Sequence, residues 1–483
     1  MSAFAVDKLS DYMKWQGKIY IGHSNYPGEE ERALYIPNKQ LLKHMVIVGK
    51  TGKGKTSYQM RMLMSIMKQM AADPTGKNIT TPSFSFLDPH GDAVRTVVSH
   101  MPPQLWDKVH ILHMKETDRP RGLNLLEAHG QSPSNIVSEF VALIREVFAG
   151  ETGNRMDHYM RYGLLTLLEA QPQTILSFEP LFTDEGFRES VLSRVKDPSL
   201  KYFWSENGMF AKNQAKIAEI IAPILQKLGP FVTYPQVRTI VGQSQSSINM
   251  RRIMDEGKIL LIDLSGVPED IKKIMGATLV NLFYFAAMSR HDIPKMEDRR
   301  PHYLICDEIS GYASQVMEKI LSETRKYGLG LILATQFLKK IATPVVEAIM
   351  GNCGNFFVLG LGADDASRMA KWMEPLDATA LANLPDLSSA VKCADKNGVN
   401  RVFTTKFNYV PNGSDEIYDK ILAMSDIRDG RPVAEVEKEI ADLLGYDSPS
   451  ERPTAPKAGN KPAPVRTSNK PSSGKKPVPK VAK

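Results

Sequence analysis

Only three cysteines occur in 483 residues, Cys306, Cys353 and Cys393. No spacing among them would chelate a metal or lay out a disulfide framework. Cys306 lies in an apolar run, so buried free thiols of a reducing compartment are expected. No N-terminal basic-then-apolar stretch is there to serve as a secretory signal. No apolar run approaches the roughly 18–20 residues that span a bilayer. The longest, 277–288, is broken by Asn281 and reads as a buried helix. Excess charge is missing from most of the chain too. The formal net charge is +7, yet residues 451–483 hold nine Lys/Arg and one Glu, leaving the other 450 residues near −1. Any DNA contact outside that tail must rest on local placement of charge rather than bulk attraction.

What remains is an ordinary globular composition, 42% hydrophobic, in a chain long enough for two or three domains. The most informative segment is Gly49-Lys50-Thr51-Gly52-Lys53-Gly54-Lys55-Thr56, a complete G-x-x-x-x-G-K-[ST] phosphate-binding loop. It follows the apolar run Met45–Val48 and precedes a helix-compatible stretch from Ser57 to Met70, the context that gives the pattern meaning. Its glycines let backbone N–H groups face phosphate oxygens at the positive end of a helix. Lys55 is expected against the β/γ-phosphates and the Thr56 hydroxyl at Mg²⁺, with residues 49–57, Ser57 included, lining an ATP site.

Short apolar runs recur at 19–21, 45–48, 84–87, 109–112, 259–262, 303–306, 329–333 and 356–359. Near-continuous apolarity with helical segments between several of them predicts a mainly parallel sheet covered on both faces. Residues 131–230 carry a helical period instead. Ser132-Pro133 suits a helix start, and Ile136, Phe140, Leu143, Ile144 and Val147 follow on one face. Met156, Met160, Leu164, Leu167 and Leu168 repeat the pattern. A third helix is expected over 212–228, with a kink at Pro223 and a stop at Gly229-Pro230. The expected organisation is a strand segment at 1–40, a discontinuous ATPase domain at 41–130 and 231–447, an inserted all-α domain at 131–230, and a basic tail at 448–483 too poor in apolar residues to fold. That tail suits either a salt-sensitive nucleic-acid tether or a solubility tail.

Two further signals accompany the loop. Tyr303-Leu304-Ile305-Cys306-Asp307-Glu308 is an apolar strand ending in two acids; Asp307 is expected to hold Mg²⁺ through water and Glu308 to polarise an attacking water. Residues 323–336 run from Glu323-Thr324-Arg325 into a second strand that ends in Gln336. That amide is expected near the γ-phosphate. The Arg325 guanidinium suits phosphoryl charge on a neighbouring subunit, a surface ion pair with Glu323 being the plainer reading. Asp88 and Asp92 sit where a sheet strand ends, either in a nucleotide-proximal or subunit-contact network or as helix caps. Arg251-Arg252 and Lys272-Lys273 are either DNA-backbone contacts or solvated faces.

These motifs, in this order, resemble the FtsK/HerA-type DNA-pumping ATPases, and most of all the conjugative coupling proteins of type IV secretion (the TraG/TraD kind). The residues that carry the resemblance are His44-Met45-Val46-Ile47-Val48-Gly49, Asp88-Pro89-His90-Gly91-Asp92, Gly122-Leu123-Asn124-Leu125-Leu126, the GKILLIDLSG stretch at 257–266, Cys306-Asp307-Glu308, 323–336 and Gly351-Asn352-Cys353-Gly354. The resemblance implies a RecA-like P-loop ATPase core using ATP and Mg²⁺, with a helical domain for protein cargo. It also implies a six-subunit ring, in which Arg325 would act in trans. The implied partners are DNA gripped by its backbone, relaxase or relaxosome proteins, and channel ATPases of the secretion system. One departure is that only about 40 residues precede the loop, none of them spanning. A cytoplasmic ring recruited by a separate membrane anchor protein is therefore the expectation. A HerA-like repair or defence translocase working with a nuclease is one alternative, and an ATP-gated recruitment adaptor that moves no DNA is another.

Overall fold

The computed structural model describes residues 17–24, 31–115, 117–127, 132–147, 154–314, 316–395 and 397–445. The tail expected at 448–483 lies outside the described residues, as do residues 1–16 of the N-terminal segment.

Eleven strands form one sheet: β1 (Lys18–Ser24), β2 (Ala33–Pro37), β3 (Met45–Val48), β4 (Ser83–Asp88), β5 (Val109–His113), β6 (Ile259–Asp263), β7 (His302–Cys306), β8 (Leu329–Thr335), β9 (Asn355–Val358), β10 (Ser388–Ala394) and β11 (Asn400–Lys406). Their order is β2-β1-β11-β10-β9-β3-β8-β7-β4-β6-β5. The seven from β9 to β5 are parallel, and the other four join antiparallel at one side. All eight sequence-expected runs are strands. Continuous apolarity follows from burial on both faces: every residue of β3, β4, β6, β7, β8 and β9 is buried.

Side chains alternate between two cores, as a pleated strand requires. Met45, Ile47, Phe84, Phe86, Tyr303 and Ile305 pack with α1 (Lys55–Ala72) and α2 (Asp92–Ser99). Val46, Val48, Leu87, Leu304 and Cys306 face the opposite way, into a core that includes the helical region. The polar intrusion at Ser83, Ser85 and His302 is satisfied. Ser83 Oγ and Ser85 Oγ lie 2.8 and 2.9 Å from the two ring nitrogens of His302, so the imidazole has one donating and one accepting partner. Burial pushes its pKa well below the ordinary value, keeping it neutral.

The helical region contains α3 (Pro133–Val147), α4 (Asn154–Glu169), several short helices and α5 (Ile217–Thr233). Ile136, Phe140, Leu143 and Ile144 are buried on one face of α3; Met156, Met160, Leu164, Leu167 and Leu168 are buried on α4. The third helix differs from expectation. It begins at Ile217, after a break at Asn213, and passes through both Pro223 and Gly229-Pro230 to end at Thr233. Proline forfeits one backbone bond at each site. Burial of Ile224, Leu228 and Phe231 on the continuing face outweighs that loss, and the stop falls at Tyr234-Pro235 instead. Helical structure then continues over Pro235–Val241.

Two chain crossings connect this region to the sheet, and they clasp each other. The Gly122 N–H donates to Ser247 Oγ, the Ser247 N–H to the Gly122 carbonyl, and the Asn124 N–H to Ser246 Oγ. Helix α6 (Glu269–Ser289) covers the sheet and packs on α3. It is the one described helix long and apolar enough to cross a membrane, and 78% of its most apolar window is buried inside the protein. Helix α7 (Val316–Glu323) precedes β8. Near the C-terminal end, α8 (Asp415–Asp429) lies against β5 through His110 and Asp429 at 3.0 Å, and α9 (Val433–Leu444) reaches the helical region through Glu439, which accepts from Ser244. All three cysteines are buried free thiols.

Candidate nucleotide site

The site grows from three adjacent strands. In the sheet β8 lies between β3 and β7, so their C-terminal ends bring the phosphate loop, Gln336 and the Asp307–Glu308 pair side by side. This is the edge of an open parallel sheet where ligands gather.

The loop leaves β3 at Gly49 and enters α1 at Lys55. Gly54, the helix N-cap, has φ +96°, a conformation that side-chain-bearing residues resist. A Cβ there would also stand 2.7 Å from Leu387 and 3.1 Å from Phe407. Lys55 Nζ donates to the Gly49 carbonyl at 2.9 Å, folding back over the loop. Burial lowers its pKa, and the nearby carboxylates of Glu308 and Asp307 oppose that. Lys53 pairs with Asp386 at 2.6 Å, and the Lys50 N–H donates to the Gly360 carbonyl at 3.0 Å. Thr51 and Thr56 are exposed and Ser57 is buried in the first turn of α1.

Gln336 links the two acidic and basic halves. Its side-chain oxygen accepts from Thr51 Oγ1 at 2.7 Å, and its own N–H donates to Glu308 Oε2 at 3.2 Å. The Glu308 carboxylate also accepts from Ser310 Oγ at 2.6 Å and Thr335 Oγ1 at 3.2 Å. Glu308 itself has φ +43°, an uncommon conformation for a residue with a side chain and one found at strained functional positions.

Asp307 is half-buried, and its pKa is pushed up to about 6 by loss of hydration first and by Asp88 second; Lys55 and a 3.4 Å contact from Gln59 Nε2 pull the other way. A poorly hydrated carboxyl poised this way is what an incoming cation would discharge. Among the described residues no three His, Cys, Asp or Glu side chains gather as a metal cage. The Thr56 hydroxyl and the Asp307 carboxylate are hard oxygen donors, too few to hold a metal alone. They suit Mg²⁺, which keeps several waters and takes phosphate oxygens as ligands.

Asp88, at the end of β4, accepts from the N–H groups of His90, Ala93 and Val94 at 2.8, 2.8 and 3.1 Å. It therefore ties down the start of α2 while its charge bears on Asp307. Asp92 stands in the first turn of α2. Arg251 pairs with Asp255 and Asp292, Arg252 with Glu256, and Lys272 with Glu269, so local acids already neutralise three of the four basic residues weighed as backbone contacts.

Arg325 is not brought to this site. It lies in the turn Thr324–Tyr327, exposed, before β8 begins, whereas Gln336 follows the far end of that strand. Seven residues of strand separate the two edges by about 20 Å. Glu323, its expected ion-pair partner, accepts instead from the Tyr284 hydroxyl at 3.0 Å. Sequence reasoning missed Gln59, Leu387 and Phe407. Gln59 follows Lys55 by one helical turn, a spacing that signals a shared face; nothing local marks the other two.

The fold and site together define a mixed α/β, RecA-like architecture with a phosphate loop at its sheet edge. No family model matches the chain, and no curated protein matches it in sequence. Among solved structures, the bacterial conjugative coupling protein TrwBdeltaN70 in its unbound form is similar, with TM-score 0.53 at 15% identity over 81% of this chain and 90% of that one. The plasmid coupling protein TrwB in complex with ADP and Mg²⁺ has TM-score 0.54 at 15% identity, covering 83% and 97%. TrwB with the ATP analogue ADPNP has 0.53 at 16%, covering 83% and 99%. The resemblance drawn from the motifs is thus met in the fold over most of both chains.

Proposed function

We infer that the chain is an Mg²⁺-dependent ATPase that drives DNA transfer as a coupling protein of a type IV secretion or conjugation system. The observation that carries the reading is the hydrogen-bonded link Thr51–Gln336–Glu308 across three neighbouring strands, with Lys55 and Asp307 beside it, in a fold shared with TrwB. TrwB is described as a conjugative coupling protein and is known with ADP and Mg²⁺ bound, which supports the same chemistry here.

Lys55 and the loop N–H groups hold the β- and γ-phosphates, displacing the Lys55–Gly49 contact. Mg²⁺, when bound through Thr56 and Asp307, neutralises charge on the phosphate oxygens. Glu308, steadied by Ser310, Thr335 and the Gln336 N–H, orients a water and takes its proton as the water oxygen attacks the γ-phosphorus and ADP leaves. Gln336 contacts both the loop and the base, so the loss of a γ-phosphate is felt at the tip of β8. Arg325 serves a neighbour's site in a homo-oligomeric ring, six subunits in this reading. The helical region takes relaxase or relaxosome proteins and the ring grips DNA phosphates without base readout. Channel ATPases or a separate membrane anchor then receive the ring at the inner face of the membrane.

The test is ATP turnover with and without DNA, in the wild type and in Glu308→Gln. DNA-stimulated turnover that falls at least about 100-fold in the variant, while ATP still binds, supports the motor. Turnover indifferent to DNA sinks the translocase reading and leaves the ATP-gated adaptor. Recovery of a nuclease instead of relaxase or channel proteins by residues 131–230 would favour a HerA-like repair translocase.

A further inference from the structure

The root of the β10–β11 hairpin forms one wall of the phosphate loop. Leu387 lies against Gly54 with φ +56°, a strained conformation for a leucine. Its carbonyl accepts from the Phe407 N–H at 2.9 Å. The Phe407 ring packs on Gly54 and on Tyr58, with ring centroids 5.3 Å apart. Two residues further on stands Tyr409, 63% exposed. A lone exposed aromatic is ordinary, but this one is fixed in place. Arg61 of α1 donates from Nε to the Asn408 carbonyl at 3.2 Å and from Nη2 to the Tyr409 carbonyl at 2.9 Å. The backbone under Tyr409 is therefore clamped to the helix that begins at the phosphate loop, while its ring has no aromatic or hydrogen-bonding partner among the described residues.

A nucleoside triphosphate with its phosphates on residues 49–56 must extend sugar and base over one flank of the loop. On the β8 flank Gln336 and Glu308 occupy the space. The other flank is walled by Leu387 and Phe407, and Tyr409 stands at most about 7 Å of chain beyond Phe407. We propose that Tyr409 is the stacking platform for the nucleobase, with Leu387 and Phe407 as the apolar wall beneath the sugar. A ring face accepts any base by stacking, so the site takes purine and pyrimidine triphosphates alike, purines more tightly because they offer more area.

This inference rests on the nucleotide reading above, and the experiment separates the two. Calorimetry with Mg²⁺ measures the affinity of ATP, CTP and inorganic tripolyphosphate for the wild type, Tyr409→Ala and Tyr409→Phe. The ring is exposed, so neither variant disturbs the core. Tyr409→Ala is expected to weaken ATP roughly five- to hundred-fold, the range that base–aromatic stacking spans, with a smaller loss for CTP. Tripolyphosphate should bind equally to all three proteins, and Tyr409→Phe should bind ATP as the wild type does. Unchanged ATP affinity in Tyr409→Ala, or an equal loss for tripolyphosphate, overturns the platform and leaves the nucleotide reading standing. A wild type that binds neither ATP nor tripolyphosphate overturns both.

Discussion

Replacing Asp307 with asparagine should stabilise the nucleotide-free protein while destroying its turnover. Asp307 is half-buried just past the end of β7, facing Asp88, Glu308, Lys55 and Gln59, and its pKa stands at about 6 against an ordinary 3.8. The folded state therefore holds the proton to higher pH than the unfolded chain does. Between about pH 4 and 6 the native form carries more protons, so stability falls as pH rises through that window and stays lower above it. Two pKa units correspond to about 3 kcal/mol at 1.36 kcal/mol per unit. Asparagine keeps the shape, can still accept from Gln59 and carries no charge, so most of that cost should vanish.

The assay is denaturant unfolding of wild type and Asp307→Asn at pH 5 and pH 8, without nucleotide or metal. At pH 8 the variant should be the more stable by about 1–3 kcal/mol, and the gap should shrink towards pH 5. Mg²⁺-dependent ATP turnover should be lost at both. A variant less stable than wild type at pH 8, or a difference that does not change with pH, would refute the reasoning. Either result would mean that Asp307 is already compensated without a cation.

Gln336→Ala removes the neutral contact to Thr51, worth about 0.5–1.5 kcal/mol. It should lower kcat roughly two- to tenfold with KM nearly unchanged, and a KM that rises by the same factor would count against coupling through Gln336. Ser85→Ala leaves one ring nitrogen of buried His302 without its partner and should cost about 1–3 kcal/mol in denaturant unfolding, with no dependence on pH between 6 and 8; an unchanged midpoint would mean the serine is dispensable. Arg325→Ala should leave nucleotide binding intact and abolish cooperative turnover in assembled particles measured by light scattering, whereas full activity in those particles would remove the trans-acting role.

The legible parts of the chain were those whose physics is local. A strand buried on both faces is apolar along most of its length, so β3, β4, β6, β7, β8 and β9 stand out in the sequence. The phosphate loop did so through its glycines, and Asp307–Glu308 as acids closing an apolar run. The β10–β11 hairpin carries no continuous apolar run, because its interior holds a polar pair that satisfies itself across the ladder. Ser389 Oγ and Thr405 Oγ1 lie 2.7 Å apart and buried, and register pairs the same two residues. Asn397-Gly398 was the available turn signal. The helix through Gly229-Pro230 departs from its local signal for the opposite reason, since a local breaker yields to tertiary burial of Phe231. Neighbours such as Leu387 and Phe407 stand more than 300 residues from Gly54 and meet it through sheet order alone.

Sheet order also decides what Arg325 can do. In a parallel sheet every strand points the same way, so residues that precede strands collect at one edge and residues that follow them at the other. Asp88 and Asp263 close β4 and β6, Asp307 and Glu308 follow β7, Gln336 follows β8, and the phosphate loop follows β3. His44 precedes β3 and Arg325 precedes β8; consistent with that shared edge, the charge of Arg325 bears on His44, whose pKa burial lowers to about 4. No rotamer of an arginine closes a gap of about 20 Å within one chain. A phosphate contact by Arg325 therefore requires a second copy, stacked so that the strand-entry edge of one subunit faces the strand-exit edge of the next. Such a head-to-tail contact between unlike surfaces generates a closed ring when its rotation closes and a filament when it does not. The size of any particle formed with ATP bound would thus report on the same contact that the Arg325→Ala kinetics probe.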